Sequence, residues 1–502
     1  MGCLLFPHGQ LTAPLVFPPQ TAEDLQLERL AEAMAYSEYY RMSASELCAL
    51  FTDDPDTLRW RQAVIRDILT LPGLEEALAR LMDSLDGWEG RTGGRRGGLD
   101  AFAVGFSLED FSWLEGYLKK IDSAWTELSA IPAESEGLRT LLRLLDGLRN
   151  SSRYEELSAD FKALCSGHSA PARMRIGYNL DRDMKPSRLK LLYMEGPGAE
   201  KNGKEKTAQK RQMMLTQRAI ETKAMLLQRL SMQASQDINT FVMRETSVLR
   251  GLRRELTFCL SAARLARSWQ EAGLPYCFPE ILPAGDRAFS AKGLFDPLLL
   301  LSGKEQVVSN DASLAEGGEL VFLTGANQGG KTVFLLSLGL CQWLAQLGFP
   351  VPAEQAALSP VKNILTIFAP NGQQYGRKGL LAEEAGRIAD AVANLTGESL
   401  LLFNEPLTST GPEETKSISA EVAAVCMAAG ARGIWVTHVY ELARSRAALE
   451  AAVPWGSRVG SLRVVLEEED GSPRFTYRVE RGEPLGDSHA EDALRRGGVQ
   501  FS

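Results

Sequence analysis

The fold class rests on one stretch of the chain, which reads Leu320-Val321-Phe322-Leu323-Thr324-Gly325-Ala326-Asn327-Gln328-Gly329-Gly330-Lys331-Thr332. Its apolar start is typical of a buried strand, and the leucine-rich residues 333–347 after it favour a helix. Between the two, the chain matches G-x-x-x-x-G-K-[ST] at every fixed position. A glycine-rich turn in that setting points backbone N–H groups inward and binds phosphate. The stretch therefore predicts a nucleotide-binding site.

The predicted cofactors are ATP and Mg²⁺. Lys331 is expected to reach the β- and γ-phosphates, and the Thr332 hydroxyl is expected to bind the metal. The predicted nucleotide-binding residues are Gly325, Ala326, Asn327, Gln328, Gly329, Gly330, Lys331, Thr332 and Val333.

Two further apolar runs end in residues suited to catalysis. Residues 400–403 lead into Asn404 and Glu405, and residues 433–436 lead into Thr437 and His438. Glu405 is the natural general base, and a histidine at His438 can sense the γ-phosphate or the attacking water. We predict Glu405, His438 and Lys331 as catalytic residues. Thr332, Asn404 and Glu405 are the predicted Mg²⁺ ligands, partly through water.

The chain divides into two compositional halves. Residues 22–273 are rich in helix formers, whereas short apolar runs alternate with helical segments from residue 291 onward. The predicted fold is an α/β P-loop NTPase domain at the C-terminus, preceded by an all-α core and lever domain. We predict an edge hairpin across Asp470-Gly471. The predicted domains are an N-terminal extension (1–21), a helical core (22–195), long clamp-like helices (196–285) and the ATPase domain (286–502).

A long basic helix is the candidate nucleic-acid surface. Residues 207–250 contain no Gly or Pro and would form a helix of roughly 65 Å. Residues 201–229 hold eight Lys or Arg against two Glu, a local net charge of +6 in a chain of net charge −9. This pattern fits a solvated helix face or a contact with the phosphate backbone of DNA. The candidate DNA contacts are Lys204, Lys206, Lys210 and Arg211.

Composition bounds the environment of the protein. The seven cysteines are dispersed and form no C-x-x-C pair, which favours a reducing compartment over a structural zinc site. No apolar run approaches the ~20 residues of a membrane span. We predict a cytoplasmic protein without a membrane partner, associated with the nucleoid if the source is bacterial.

The motifs together resemble one family. Gly-x-Asn-x-Gly-Gly-Lys-Thr, then Asn404-Glu405, Thr410 and Thr437-His438 occur in the order and spacing of the MutS family of DNA mismatch-repair ATPases. Glu383 resembles the family's glutamate in its signature helix. The resemblance is specific over residues 291–499 and rests on architecture alone before that.

The resemblance implies an ATP-gated clamp. Family members form dimers in which the partner's signature loop completes each nucleotide site, and long lever helices grip DNA. For this chain it implies a homodimer, with mismatched, branched or damaged DNA and other repair proteins as partners.

Several departures from the family pattern are visible. The chain leaves no room for the N-terminal domain that reads mismatches, and it stops without the C-terminal dimerisation extension. Asn404 stands where the family has Asp, and Lys378 stands where the family has a hydroxyl, so slow hydrolysis is expected. No aromatic residue for stacking on adenine is evident near Gln306-Val307.

Two other functions stay open at the level of sequence. The first is a nucleotide-switched assembly module with weak hydrolysis, acting on RNA, the ribosome or a protein partner; Asn404 and Lys378 favour it. The second is an ordinary ATP-binding-cassette or chromosome-maintenance ATPase. DNA-stimulated turnover separates the DNA clamp from the assembly module.

Overall fold

The structure is a computed structural model, and it describes residues 3–7, 15, 17–93, 108–150, 173–180, 186–195, 251–303, 307–368, 377–469 and 472–484. The described residues fall into two units. The first comprises 71–134 and 138–256, and the second comprises 2–70, 135–137 and 257–502. No helix in these ranges is both long and apolar enough to cross a bilayer.

Elements are labelled in chain order over the described residues. The helices are α1 Pro19–Asp24, α2 Leu27–Ala33, α3 Ala44–Cys48, α4 Pro55–Thr70, α5 Leu74–Gly93, α6 Leu108–Ser129, α7 Glu136–Arg149, α8 Leu252–Glu271, α9 Leu298–Leu301, α10 Lys331–Leu347, α11 Arg377–Ala393, α12 Pro412–Ala428, α13 Tyr440–Arg444 and α14 Arg446–Ala452. The strands are β1 Arg173–Leu180, β2 Pro186–Glu195, β3 Glu280–Ile281, β4 Phe289–Leu294, β5 Asn310–Leu314, β6 Glu319–Thr324, β7 Gln355–Leu358, β8 Asn363–Phe368, β9 Ser399–Asn404, β10 Arg432–Val436, β11 Arg458–Glu469 and β12 Ser472–Arg481.

The first unit is mainly helical but contains a hairpin. Helix α5 packs against α6, and an ion pair between Arg80 Nε and Glu127 Oε2 spans 2.8 Å on their exposed sides. Strands β1 and β2 pair antiparallel, so the prediction of an all-α domain before the ATPase is not confirmed. The cause is visible in the sequence: residues 173–178 and 188–191 alternate between charged or small and apolar side chains, the two-residue period of a strand.

The second unit is built on a six-stranded sheet. Its order is β12-β11-β6-β10-β9-β8, with β12 antiparallel at one edge and the other five strands parallel. Every residue of β6 and β10 is buried, as expected for parallel strands covered on both faces. The predicted strands and the edge hairpin are confirmed. A four-stranded sheet, β3-β7-β4-β5, belongs to the same unit.

Helix α10 lies in the core of this unit. It begins after Gly330, whose φ is 92°, and ends before Gly348, whose φ is 80°. Both values lie in the left-handed region that glycine adopts at little cost, so the two glycines set the limits of the helix. Almost all of its side chains are buried. The helix therefore holds the phosphate loop at its N-terminus on a fixed scaffold.

The N-terminal residues pack with this scaffold. Thr21 Oγ1 donates to Ile364 O at 3.1 Å, which ties α1 to β8. The buried Arg61 of α4 donates to Leu347 O, the last residue of α10, at 3.2 Å. The unit that contains the phosphate loop thus includes residues 2–70, 135–137 and 257–502. The domain boundaries given from the sequence stay a prediction. Helix propensity alone does not reveal which sheet a helix packs on.

Candidate nucleotide site

The phosphate loop connects β6 to α10. Gly325 has φ 143° and Gly330 has φ 92°. A Cβ added at Gly325 would lie 2.8 Å from Cβ of Val464, closer than real side chains approach. The neighbouring strand β11 therefore requires glycine at Gly325, and the left-handed backbone favours it at Gly330. The loop is shaped by its backbone, as a phosphate cradle requires.

Lys331 lies at the base of this loop. Its ammonium donates to Gly325 O at 2.9 Å and to Ala326 O at 3.3 Å, and it stands 3.7 Å from Glu405 Oε1. Burial lowers the pKa of Lys331, and the charge and hydrogen bond of Glu405 offset part of that effect. The nearby Glu405 carboxylate therefore stabilises the charged form of the Lys331 ammonium against the effect of burial.

Asn404 ends strand β9 beside the start of α10. Its Oδ1 accepts a hydrogen bond from Thr332 Oγ1 at 3.2 Å. A hydroxyl and an amide oxygen at this spacing are oxygen donors of the kind that Mg²⁺ binds. The pair fits the metal that the phosphate loop implies, although the neutral amide contributes no charge.

Glu405 follows Asn404 in an unusual conformation. Its φ is 52°, and its N–H donates to Val436 O at 3.0 Å. His438 Nε2 lies 2.8 Å from Glu405 Oε1. Burial alone would raise the pKa of the Glu405 carboxyl, but the hydrogen bond and charge of His438 and those of Lys331 outweigh it and lower that pKa. The Glu405 side chain is therefore stabilised as a carboxylate by two neighbours, the Lys331 ammonium and the His438 imidazole.

Lys331, Thr332 and Glu405 border one cavity of about 600 Å³. That volume lies within the range of small-molecule and cofactor sites. Gln328 to Phe334 and Glu405 form one part of its wall. The structure thus brings together the predicted residues Lys331, Thr332, Asn404, Glu405 and His438.

The rest of the cavity wall was missed at the sequence level. Tyr477 of β12 is 49% exposed and lines the cavity, and its carbonyl accepts from Asn310 Nδ2 at 3.1 Å. Val308 lines the wall in the upstream segment where the family resemblance implies an aromatic residue. Three aromatic residues line the cavity: Phe295 and Phe334 are buried, whereas Tyr477 of the edge hairpin is exposed. A hairpin is readable from the sequence, but the cavity it faces is set by tertiary packing.

Asp296 was also missed. It lines the cavity, is 3% exposed, and accepts from the N–H of Leu298 at 2.9 Å through Oδ1. Burial raises its pKa to about 6. In the sequence, Asp296 lies two residues before a short leucine run, which is an ordinary position for an aspartate at the start of a helix.

Glu384 was also missed. The family resemblance points to Glu383, which is half-buried, whereas the next residue, Glu384, is 2% exposed. Glu384 accepts hydrogen bonds from Thr408 and Ser409. Which face of a helix is buried depends on its packing, which the sequence motif does not show.

Other predicted residues lie outside the described part of the chain. They are the DNA-contact candidates Lys204, Lys206, Lys210 and Arg211, the long helix 207–250 and the side chain of Lys378.

Comparisons with known proteins agree with this geometry. Residues 321–489 match the family model of MutS domain V. The chain is 31% identical over 233 residues to the DNA mismatch repair protein MutS of Synechococcus sp. strain RCC307, covering 45% of this chain and 25% of that protein. It is 30% identical over 254 residues to Endonuclease MutS2 of Enterococcus faecalis, covering 49% of this chain and 29% of that protein.

A third relative is matched over most of the chain. The MutS of Synechococcus sp. strain CC9311 is 26% identical over 493 residues, which cover 89% of this chain and 52% of that protein. The chain thus spans about a quarter of the first two relatives and about half of the third. The matched domain contains the phosphate loop and Glu405, which border one cavity, and His438, which contacts Glu405. The chain is therefore a MutS-family protein that carries MutS domain V in residues 321–489.

Proposed function

We propose that this protein binds ATP with Mg²⁺ and hydrolyses it in the cavity beside the phosphate loop. The observation that carries the proposal is the cluster of Lys331, Glu405 and His438. The ammonium lies 3.7 Å and the imidazole 2.8 Å from the same carboxylate oxygen. A cation for the phosphates and a base for water are two of the parts that phosphoryl transfer to water uses, together with the phosphate loop and the metal ion.

Each residue has a distinct role in this proposal. The loop N–H groups and Lys331 bind the phosphates, and Thr332 and Asn404 hold Mg²⁺, partly through water. The metal, when bound, neutralises the charge on the phosphate oxygens. Glu405 accepts a proton from the attacking water, and His438 keeps Glu405 ionised and aimed. Asn404 brings no negative charge to the metal, and Lys378 replaces a hydroxyl, so turnover is slow.

We place the base of the nucleotide near Tyr477. Its ring is half exposed in the cavity wall, and an aromatic face stacks favourably on a purine. Asn310 fixes this part of the hairpin through bonds to Tyr477 O and from Val479 N, the latter at 2.8 Å.

The same proposal includes DNA as the macromolecular ligand. The chain acts as a nucleotide-gated dimeric clamp on mismatched, branched or damaged DNA, with its basic segment 201–229 on the phosphate backbone. The support is the local charge of +6 and the relatives named DNA mismatch repair protein MutS.

A panel of nucleic acids tests this part. Duplex, mismatched and branched DNA and single-stranded RNA are titrated with and without ATP, and turnover is followed in parallel. We expect DNA-stimulated turnover and binding that weakens with salt. Replacing Lys204, Lys206, Lys210 and Arg211 by glutamine should weaken binding and flatten its salt dependence.

Two outcomes would contradict the proposal in different ways. Unchanged affinity and salt slope in the quadruple variant would remove these residues from the contact surface. Tight ATP binding without DNA-stimulated turnover, together with binding to RNA alone, would favour a nucleotide-switched assembly module.

A further inference from the structure

A buried carboxylate holds the segment that follows Glu405. Glu384 of α11 is 2% exposed. Its Oε1 accepts from Thr408 N–H at 2.9 Å and from Thr408 Oγ1 at 2.8 Å. Its Oε2 accepts from Ser409 N–H at 3.4 Å and from Ser409 Oγ. Two adjacent residues thus direct all four of these donors at one carboxylate.

The segment held in this way has a strained backbone. Glu405 and Leu407 have φ of 52° and 68°, in the left-handed region that non-glycine residues rarely adopt. Such conformations persist only where the surrounding structure fixes them. Glu405 N–H is fixed on Val436 O, and Leu407 O accepts from Thr415 Oγ1 at 3.3 Å. Glu384 supplies the anchor immediately after the second strained residue.

The chemistry of this anchor is specific to a carboxylate. An ionised carboxyl group only accepts hydrogen bonds, through two oxygens, and so matches four donors. An amide of the same size has an NH₂ group in place of one oxygen and would oppose the donors of one of the two residues. Substitution by glutamine therefore tests the anchor with almost no change in volume.

We propose that Glu384 is a positioning residue for Glu405: by binding Thr408 and Ser409 it holds the strained segment 405–410 so that the Glu405 carboxylate faces the cavity. The proposal rests on the ATPase function proposed above. Glu384 does not touch the reacting atoms and acts only through the backbone that carries the base.

The variant Glu384→Gln tests the proposal in the full chain. The matched control is Asp390→Asn, which makes the same carboxylate-to-amide change at an exposed position of the same helix. We expect Glu384→Gln to lower kcat about tenfold or more while KM and the Kd for ATP change less than twofold, the signature of an interaction needed for the chemical step. Asp390→Asn should match the wild type.

Two further measurements separate positioning from general stability. In a Glu405→Gln background, the residual single-turnover rate should not fall further when Glu384→Gln is added, because the two residues act on one step. Amide hydrogen exchange across residues 405–411 should speed up in Glu384→Gln, with the rest of the domain unchanged.

The positioning role would be overturned if Glu384→Gln lowered the rate equally in the wild-type and Glu405→Gln backgrounds, or if its kcat equalled that of the wild type.

The proposed function is decided separately. If wild type hydrolyses ATP and Glu405→Gln has at most residual turnover, the proposed function stands whatever Glu384 does. If wild type shows no turnover, the proposed function fails, and hydrogen exchange still decides: an unchanged exchange rate at 405–411 overturns the inference.

Discussion

At the scale of single residues, the site is defined by two side chains, Lys331 and His438, that approach the same carboxylate oxygen of Glu405. Glu405 Oε1 lies within hydrogen-bond reach of His438 and near Lys331. Both neighbours favour the ionised carboxylate, and together they outweigh the effect of burial on its pKa. A carboxylate whose pKa is lowered in this way and that is held by a histidine is suited to orient water.

His438→Ala tests this arrangement through pH. The pKa of Glu405 is lowered from its ordinary value of 4.5 partly by His438, so losing the imidazole raises it. In the proposed mechanism, turnover requires the Glu405 carboxylate, so the rate falls as pH drops through the pKa of Glu405. The acid limb of the kcat/KM profile should therefore move to higher pH in the variant.

The exposed Glu441→Gln, just beyond His438 in α13, serves as the control for that profile. Its acid limb should coincide with that of the wild type. An acid limb in His438→Ala that stays in place or moves to lower pH would show that His438 does not stabilise the Glu405 carboxylate.

Most of this residue-level picture could be predicted from the sequence. Fixed spacing identifies the phosphate loop, and the ends of apolar runs identify Glu405 and His438, because parallel strands end at one edge of a sheet. Glu384 and Tyr477 could not be predicted, since their roles depend on which helix face is buried and which hairpin borders the cavity. Those are properties of packing between distant segments.

At the scale of elements, α10 is held at both ends. The phosphate loop begins it, and the buried Arg61 binds its last carbonyl, Leu347 O, at 3.2 Å. The same guanidinium donates to Leu5 O at 3.1 Å and Leu50 O at 2.8 Å, and its carbon lies 5.1 Å from the ring centre of Phe6. Burial lowers its pKa to about 10. One cation thus joins the N-terminal residues to the helix behind the loop.

Arg61→Met is expected to destabilise the second unit by on the order of 3 kcal/mol, because three backbone carbonyls, two of them in buried residues, lose their donor. The loss is partly offset because no charge is then buried. Urea unfolding followed by tryptophan fluorescence measures the change. The exposed Arg41→Met is the matched control and should leave the midpoint unaltered. Equal midpoints for Arg61→Met and wild type would refute this role for Arg61.

At the scale of elements, a strand could be predicted from the sequence where one hydrophobic pattern dominates the segment. The strands at 320–323, 400–403 and 433–436 are buried on both faces and read as continuous apolar runs. The β1–β2 hairpin was not predicted, because helix-forming residues around it obscured a short two-residue alternation. The attachment of residues 2–70 to the ATPase sheet was not predicted, because no local pattern encodes it.

At the scale of the whole molecule, the matched MutS domain V, residues 321–489, contains the phosphate loop and Glu405, the base of the proposed hydrolysis. The N-terminal residues 2–70 belong to the same unit, so the scaffold of the site draws on both ends of the chain.

The most direct test of this account is Mg²⁺-dependent ATP turnover measured together with ATP binding in wild type, Glu405→Gln and Lys331→Ala. The partly exposed ion pair Lys362–Glu398 supplies matched controls, Lys362→Ala and Glu398→Gln. We predict turnover in wild type and both controls, binding with at most residual turnover in Glu405→Gln, and loss of binding in Lys331→Ala. Wild-type turnover in Glu405→Gln, or undiminished ATP affinity in Lys331→Ala, would contradict it.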